Sequence, residues 1–222
     1  QAEEAIGTSA TNRSSSDIVT IPWPTNPAQF LVKIATLLRL RKFQIDHAKV
    51  ESEIATQNAR LRDLTNRFQR ELRQAQTIQQ SILPKSLPKH RHCHFAASYV
   101  PLEAVGGDLF DLWQIDDDTF GFFIGDVTGH GLPAAFICAM TKMALAYAPK
   151  ESPDEMLSHM AYGIADHMPE GSFVTVAAAT YNATSKILRL ARGGHPSPYL
   201  WHAKTQTVEE LSPKGLPLGV LK

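Results

Sequence analysis

Between Leu40 and Ile82 the chain has no glycine and no proline, and apolar residues return every three and four positions. With Leu40 as position a of a heptad, the a and d positions are Leu40, Phe43, His47, Val50, Ile54, Gln57, Leu61, Leu64, Phe68, Glu71, Ala75, Ile78 and Ile82. Ten of these thirteen are apolar. Spacing of this kind, sustained over six heptads, predicts a coiled coil. At about 1.5 Å per residue, residues 40–83 rise roughly 66 Å. A helix that long cannot bury its stripe against a small domain, so a partner helix and a homodimer are expected. The competing arrangement is one helix folded back on its own domain. His47, Gln57 and Glu71 either set the register or weaken the seam. The helical pattern starts earlier, with Asn26 as N-cap and Pro27 in the first helical position. Pro84 and Pro88 in "LPKSLP" end it.

Three parts follow. Residues 1–39 are an N-terminal arm, small and polar over "QAEEAIGTSATNRSSS", then a short strand in "DIVTIPW" and the first helical turns. Residues 40–83 are the linker helix, and residues 84–222 a second domain. In that domain "FAASYV" (95–100), "LFDLWQI" (109–115), "TFGFFIGD" (119–126), "FVTVAAATY" (173–181), "KILRLAR" (186–192), "PYLWHA" (198–203) and "TVEEL" (207–211) read as strands. "DDD" (116–118) reads as a hairpin turn. Residues 131–148 read as a buried helix, and 152–168 as a second one with Ser152 as N-cap and Glu155 completing a capping box. Strands, two helices and further strands describe an α+β domain.

Lys+Arg and Asp+Glu are both 22, so net charge is silent about partners. Its distribution is not. Residues 33–73 carry ten basic and five acidic side chains, and residues 95–222 eight basic and fourteen acidic. An acidic domain behind a basic helix argues against nucleic acid as its partner and fits a cation site. Cys93 and Cys138 sit in unrelated contexts, which predicts a reducing compartment and no disulfide framework. No apolar run reaches a membrane span, so no membrane partner and a cytoplasmic location are expected.

In "GGDLFDLWQIDDDTFGFFIGDVTGHG" (106–131) Asp108 precedes one strand and Asp126 ends the next. The hairpin between them can bring both to one edge of a sheet. Hard divalent cations take oxygen ligands, and a glycine beside an aspartate lets backbone and solvent approach. Two carboxylates brought together without a cation would raise one pKa. Asp beside Gly is also ordinary turn chemistry, so spacing alone leaves the metal reading and the turn reading open.

The motifs "VGGDLFD", "GDVTGHGLPAAF", "FVTVAAATYN", "ARGGHPSPYL" and "GLPLGV", in that order, resemble those of SpoIIE/RsbU-type phosphatases of the PPM superfamily, and "AQTIQQSILPKSLP" resembles the usual lead-in. The resemblance covers about residues 71–222. It implies a central antiparallel β-sandwich flanked by helices, a two-metal Mn²⁺ or Mg²⁺ centre, and hydrolysis of protein phosphoserine or phosphothreonine. It implies metal binding by Asp108, Asp126 and the backbone carbonyl of Val127. Asp111, Gly107, Thr128, Gly129 and His130 surround these, with Asp111 outside the ligand shell and His130 shaping the turn into the helix rather than acting as a general acid. The implied substrate is a phosphorylated anti-sigma-factor antagonist. The family continues with two more metal-binding aspartates, and the sequence stops at Lys222 before either, so an incomplete domain is expected. Glu209 and Glu210 stand in the wrong context to replace them. The segment "DIVTIPWPTNPAQFLVKIATLLRLRK" resembles the end of a response-regulator receiver domain, with Ile21 in place of that family's lysine.

Other features have structural readings. His195 in "GGHPSP" is expected to hold a loop near the cleft, and Met140, Met143, Met156 and Met160 to fill the core. "HRHCH" (90–94) is either an exposed extended segment or a Zn²⁺ or Ni²⁺ site. Two functions remain: a metal-dependent protein phosphatase tuned through its coiled coil, or a non-catalytic dimeric binding module on the same fold.

Overall fold

The structure, a computed structural model, describes residues 26–101 and 103–221. The expected arm, the "DIVTIPW" strand and the receiver-like residues up to Thr25 lie outside them. The chain divides into two compact units, residues 1–64 and 65–222. In its described residues the first unit is helix alone.

The long helix, α1 (Pro27–Ser81), starts where the capping residues predict. The Asn26 side chain accepts a hydrogen bond from the Ala28 amide at 2.9 Å, and Pro27 takes the first position, where its missing N–H is no loss. The a/d residues Leu40, Phe43, Val50, Ile54, Leu61, Leu64, Phe68 and Ile78 are all more than half exposed. The helix ends before Pro84. Ile82 and Leu83 close the last turn onto the carbonyls of Gln79 and Gln80, and both pack against the core of the second unit.

That unit is α+β. Strands β1 (Leu109–Gln114), β2 (Thr119–Val127), β3 (Val174–Asn182) and β4 (Ile187–Gly193) form one antiparallel sheet in the order β1-β2-β3-β4. Helices α2 (Gly131–Tyr147) and α3 (Pro153–Ala165) are inserted between β2 and β3. Strands β5 (Tyr199–His202) and β6 (Thr207–Glu210) make a separate hairpin. Side chains alternate across a strand, so Leu109, Phe123, Val127, Val176 and Ala178 enter the core with Ile137, Cys138 and Leu145 of α2 and Met156, Met160 and Ile164 of α3. The other face borders a groove of about 830 Å³. Phe122, Ile124, Ala177 and Ala179 line it from the sheet, and Tyr99 and Tyr199 line it as well.

The β1–β2 hairpin is tight. The Asp116 side chain accepts from the amides of Asp118 and Thr119 at 2.9 and 2.8 Å, as an Asx turn requires. This fixes the register that places Leu109 opposite Gly125.

Three expectations are corrected. Residues 95–100 are extended but join no ladder. Phe95 is held by aromatic packing on Phe120 and Phe122, with ring centroids 4.8 and 5.8 Å apart, so the segment lies on the sheet instead of along its edge. The capping box at α3 does not form, because the Ser152 hydroxyl turns to the Asp154 carboxylate. Met143 is 56% exposed and faces away from the core that Met156 and Met160 fill.

His90 shows how the lead-in segment is fastened. Its Nε2 lies 3.1 Å from an Asp118 oxygen and its ring meets Phe120 edge-on at 5.3 Å. Phe120 is fully buried between these groups. Phe120→Ala should therefore destabilise the domain by about 3–5 kcal/mol. Urea unfolding checks this, and limited proteolysis should then cut within 88–97 first.

Candidate metal centre

Asp108 and Asp126 meet at the open end of the β1–β2 hairpin. The register that pairs Leu109 with Gly125 carries Asp108 to a place beside Asp126, one residue beyond the ladder. Leu109 and Val127 point to the helices and are buried, so alternation turns both aspartates to the opposite face. Both remain solvent-exposed. The Asp126 carboxyl is nonetheless raised above the ordinary carboxylate range. Partial burial is the main cause, and the Asp108 charge and a hydrogen bond with Asp108 add to it. The two side chains thus share one site, where the Asp108 charge opposes ionisation of Asp126.

The backbone around them is tightly held. Val127 pairs with Val174, but Val174 exchanges both of its hydrogen bonds with Leu218, at 2.9 Å each. Val127 therefore directs its carbonyl the other way, towards Gly107. A Cβ on Gly107 would lie 2.7 Å from the Val127 oxygen, so only glycine fits. The Asp108 carbonyl accepts from the Tyr99 hydroxyl at 3.3 Å and from the Cys138 thiol at 3.7 Å. Burial raises the pKa of Tyr99 and of Cys138 alike, so both stay protonated as donors.

A hydrogen-bonded pair joins the far side. The Thr175 hydroxyl donates to the Asp126 carbonyl at 3.4 Å and lies 2.9 Å from His195 Nδ1. Since the hydroxyl has one proton, His195 Nδ1 is then the donor to Thr175. Burial lowers the His195 pKa and outweighs the opposing pull of Asp126 and Asp108. Arg192 anchors the His195 loop by donating to the His195 carbonyl at 2.8 Å and to the Pro213 carbonyl at 2.8 Å.

The remaining sequence candidates fall in distinct places. Asp111 sits on the helix side of β1 and forms an ion pair with Lys142 at 2.6 Å. Thr128 fastens β2 to β3, because its hydroxyl accepts from the Phe173 amide at 3.0 Å and its own amide donates to the Phe173 carbonyl at 3.0 Å. Gly129 and Gly131 adopt φ of 90° and 70° around His130, the turn that leads into α2. His130 is exposed, and its Nδ1 lies 3.0 Å from a Glu103 carboxylate oxygen. Glu209 is paired with His202 at 2.8 Å on the β5–β6 hairpin. Gln79, Tyr99, Cys138 and Thr175 escape sequence reasoning, because nothing in their local spacing marks them.

Two carboxylates are hard oxygen donors, which suits Mg²⁺ or Mn²⁺, and the Val127 carbonyl lies against Gly107 beside them. Among the described residues no group of three His, Cys, Asp or Glu side chains converges on one point. A cation held here would therefore need water or further oxygen donors to complete its shell.

Residues 116–222 match the family model described as Stage II sporulation protein E (SpoIIE). Over those residues the chain is similar to SpoIIE-type domains. It is 27% identical to phosphoserine phosphatase RsbU of Bacillus subtilis over 72% of this chain and 48% of RsbU. It is 24% identical to phosphoserine phosphatase RsbP of the same organism over 69% of this chain and 39% of RsbP. The chain thus spans about half the length of RsbU, and less of RsbP. Among solved structures, the PP2C domain of SiaA from Pseudomonas aeruginosa superimposes with a TM-score of 0.61 at 21% identity, over 70% of this chain and 64% of that one. The SiaA likeness confirms the fold.

The raised Asp126 pKa has a signed consequence. An acid whose folded pKa exceeds its unfolded one stabilises the fold at low pH, and that contribution is lost as pH rises through the folded value. At pH 7 the metal-free protein therefore bears a penalty at Asp126. Asp126→Asn should raise the melting temperature in EDTA by up to about 2 °C, a small figure because the group is partly solvated. Thermal denaturation checks this, and a lower melting point would contradict the facing-carboxylate geometry.

Proposed function

We propose that the protein is a metal-dependent phosphoserine/phosphothreonine protein phosphatase, with Asp108, Asp126 and the Val127 carbonyl holding Mn²⁺ or Mg²⁺. The observation that carries this reading is the pair of facing aspartates at the open hairpin end, one with its pKa raised by burial and by the other's charge. Such a pair is unfavourable by itself and favourable around a divalent cation. When bound, a two-metal centre lowers the pKa of water and neutralises phosphoryl charge. The chain's own residues set the frame. Gly107 keeps the backbone open, Tyr99 and Cys138 hold the Asp108 carbonyl, and Thr175 holds that of Asp126.

RsbU and RsbP, both named phosphoserine phosphatases, support the substrate class. An anti-sigma-factor antagonist carrying phosphoserine or phosphothreonine is the proposed substrate. The exposed a/d stripe of α1 supports a coiled coil with a second copy, through which activity is regulated.

Full-length protein should release phosphate from a phosphoserine protein substrate in Mn²⁺. Asp126→Asn should lower that rate at least about 100-fold, since metal charge stabilisation is worth several kcal/mol. A rate unaffected by Asp126→Asn would refute the metal assignment. No release at all, with dimerisation intact, would favour the non-catalytic binding module.

The coiled coil has its own check. Ultracentrifugation should find a dimer, and Leu61→Asp, which puts a charge in the seam, should weaken association at least about 100-fold. A wild-type monomer would refute the pairing.

A further inference from the structure

His195 brings to the cleft a nitrogen that no described residue uses. Its Nδ1 donates to the Thr175 hydroxyl at 2.9 Å, so Nε2 of the neutral ring carries a lone pair and no proton. Nε2 has no hydrogen-bond partner among the described residues. The buried side-chain nitrogen or oxygen left unpaired among those residues is Trp113 Nε1 alone, so Nε2 is within reach of solvent. His195 lines the same groove as Asp108, and the charges of Asp126 and Asp108 both act on its ring. Ionised carboxylates are acceptors only and cannot serve Nε2. Beside them, the donor that an acceptor nitrogen can meet is water.

The ring is also firmly aimed. Gly194 adopts a φ of 69°, and a Cβ there would lie 2.5 Å from Pro217. Its amide donates to the Gly215 carbonyl at 3.1 Å. Arg192 Nη1 donates to the His195 carbonyl at 2.8 Å and to the Ser197 hydroxyl at 3.1 Å. Across the cleft, the Gly106 amide and carbonyl are bonded to Gln79, and the Asp108 carbonyl to Tyr99 and Cys138. An asparagine could make the Thr175 bond by itself. What the imidazole adds is the second nitrogen.

We propose that His195 is a positioning residue whose Nε2 accepts a hydrogen bond from a water in the shell of a cation at Asp108 and Asp126, and so fixes the orientation of that water in the cleft. The inference rests on the metal reading of the site and adds to it a group outside the ligand shell. Mg²⁺ and similar cations keep several waters when few side chains bind them. Such waters are more acidic than bulk water and donate more strongly. Burial lowers the His195 pKa, which preserves the lone pair that would receive them.

The test compares full-length wild type with two variants. His195→Asn keeps a donor for Thr175 and removes the Nε2 acceptor. His195→Gln places a carbonyl oxygen near the Nε2 position and removes the Thr175 bond. Electron spin-echo modulation of bound Mn²⁺, with ¹⁵N-labelled histidine, needs no turnover. It should show a weak histidine-nitrogen coupling in wild type that both variants lack. A strong coupling would make His195 a direct ligand and overturn the proposal, and so would no coupling. With p-nitrophenyl phosphate and Mn²⁺, His195→Asn should lower kcat about 10–100-fold, the range for groups that orient a metal's ligands, while KM and Mn²⁺ affinity move less than about threefold. His195→Gln should retain more turnover than His195→Asn. The reverse order would mean that the ring serves only to hold Thr175, and would overturn the proposal. Wild type that binds Mn²⁺ without the coupling leaves the metal reading standing and removes the role of His195. Wild type that binds no Mn²⁺ refutes both.

Discussion

The site depends on an unfavourable interaction: two aspartates held close enough for the charge of Asp108 to oppose the ionisation of Asp126. Nothing in the local chemistry of Asp108 or Asp126 would keep them together. The β1–β2 hairpin does so, through a turn fastened by Asp116 and a ladder that runs from Gln114↔Phe120 to Leu109↔Gly125. A slip of one residue would turn Asp126 into the helix layer and Val127 out to the groove. The buried side chains of Leu109, Phe123 and Val127 forbid that slip, because it would expose all of them at once. Core packing and site geometry are thus two faces of the same strands.

The helix layer supports the site from beneath. Cys138 lies in α2 with its side chain in the core, yet its thiol reaches the Asp108 carbonyl. Lys142, one turn on, neutralises Asp111. Asp111 would otherwise add a third negative charge three residues from Asp108. Pairing it on the opposite face of β1 keeps the repulsion local to the two carboxylates that face each other.

Much of the architecture was legible in the sequence. The long helix was readable from its heptads and its Asn26–Pro27 start. The hairpin was readable from "DDD" between two apolar runs, and the convergence of Asp108 and Asp126 from that hairpin. Residues 95–100 misled because an alternating apolar stretch looks the same whether it pairs at an edge or lies across a face; Phe95 on Phe120 decided the matter. Met143 misled because methionine on a helix carries no sign of which face it occupies. Gln79, Tyr99 and Thr175 were invisible for a different reason. Each acts on a backbone group distant in sequence, and no local pattern records a contact across 27, 9 or 49 residues.

The electrostatics of the cleft have one further consequence. Burial pushes Asp126 up and His195 down, so it drives each towards its uncharged form. The charges act in the opposite sense between the two groups, because each would stabilise the ionised form of the other. Burial prevails in both. A divalent cation at the aspartates changes the balance unequally. It would favour the ionised Asp126 outright and add positive charge near an imidazole already held neutral. The carboxylate and the neutral histidine would then coexist over a wider pH range than in the metal-free cleft. His195 would keep Nδ1–H on Thr175, and through Thr175 on the Asp126 carbonyl, across that whole range.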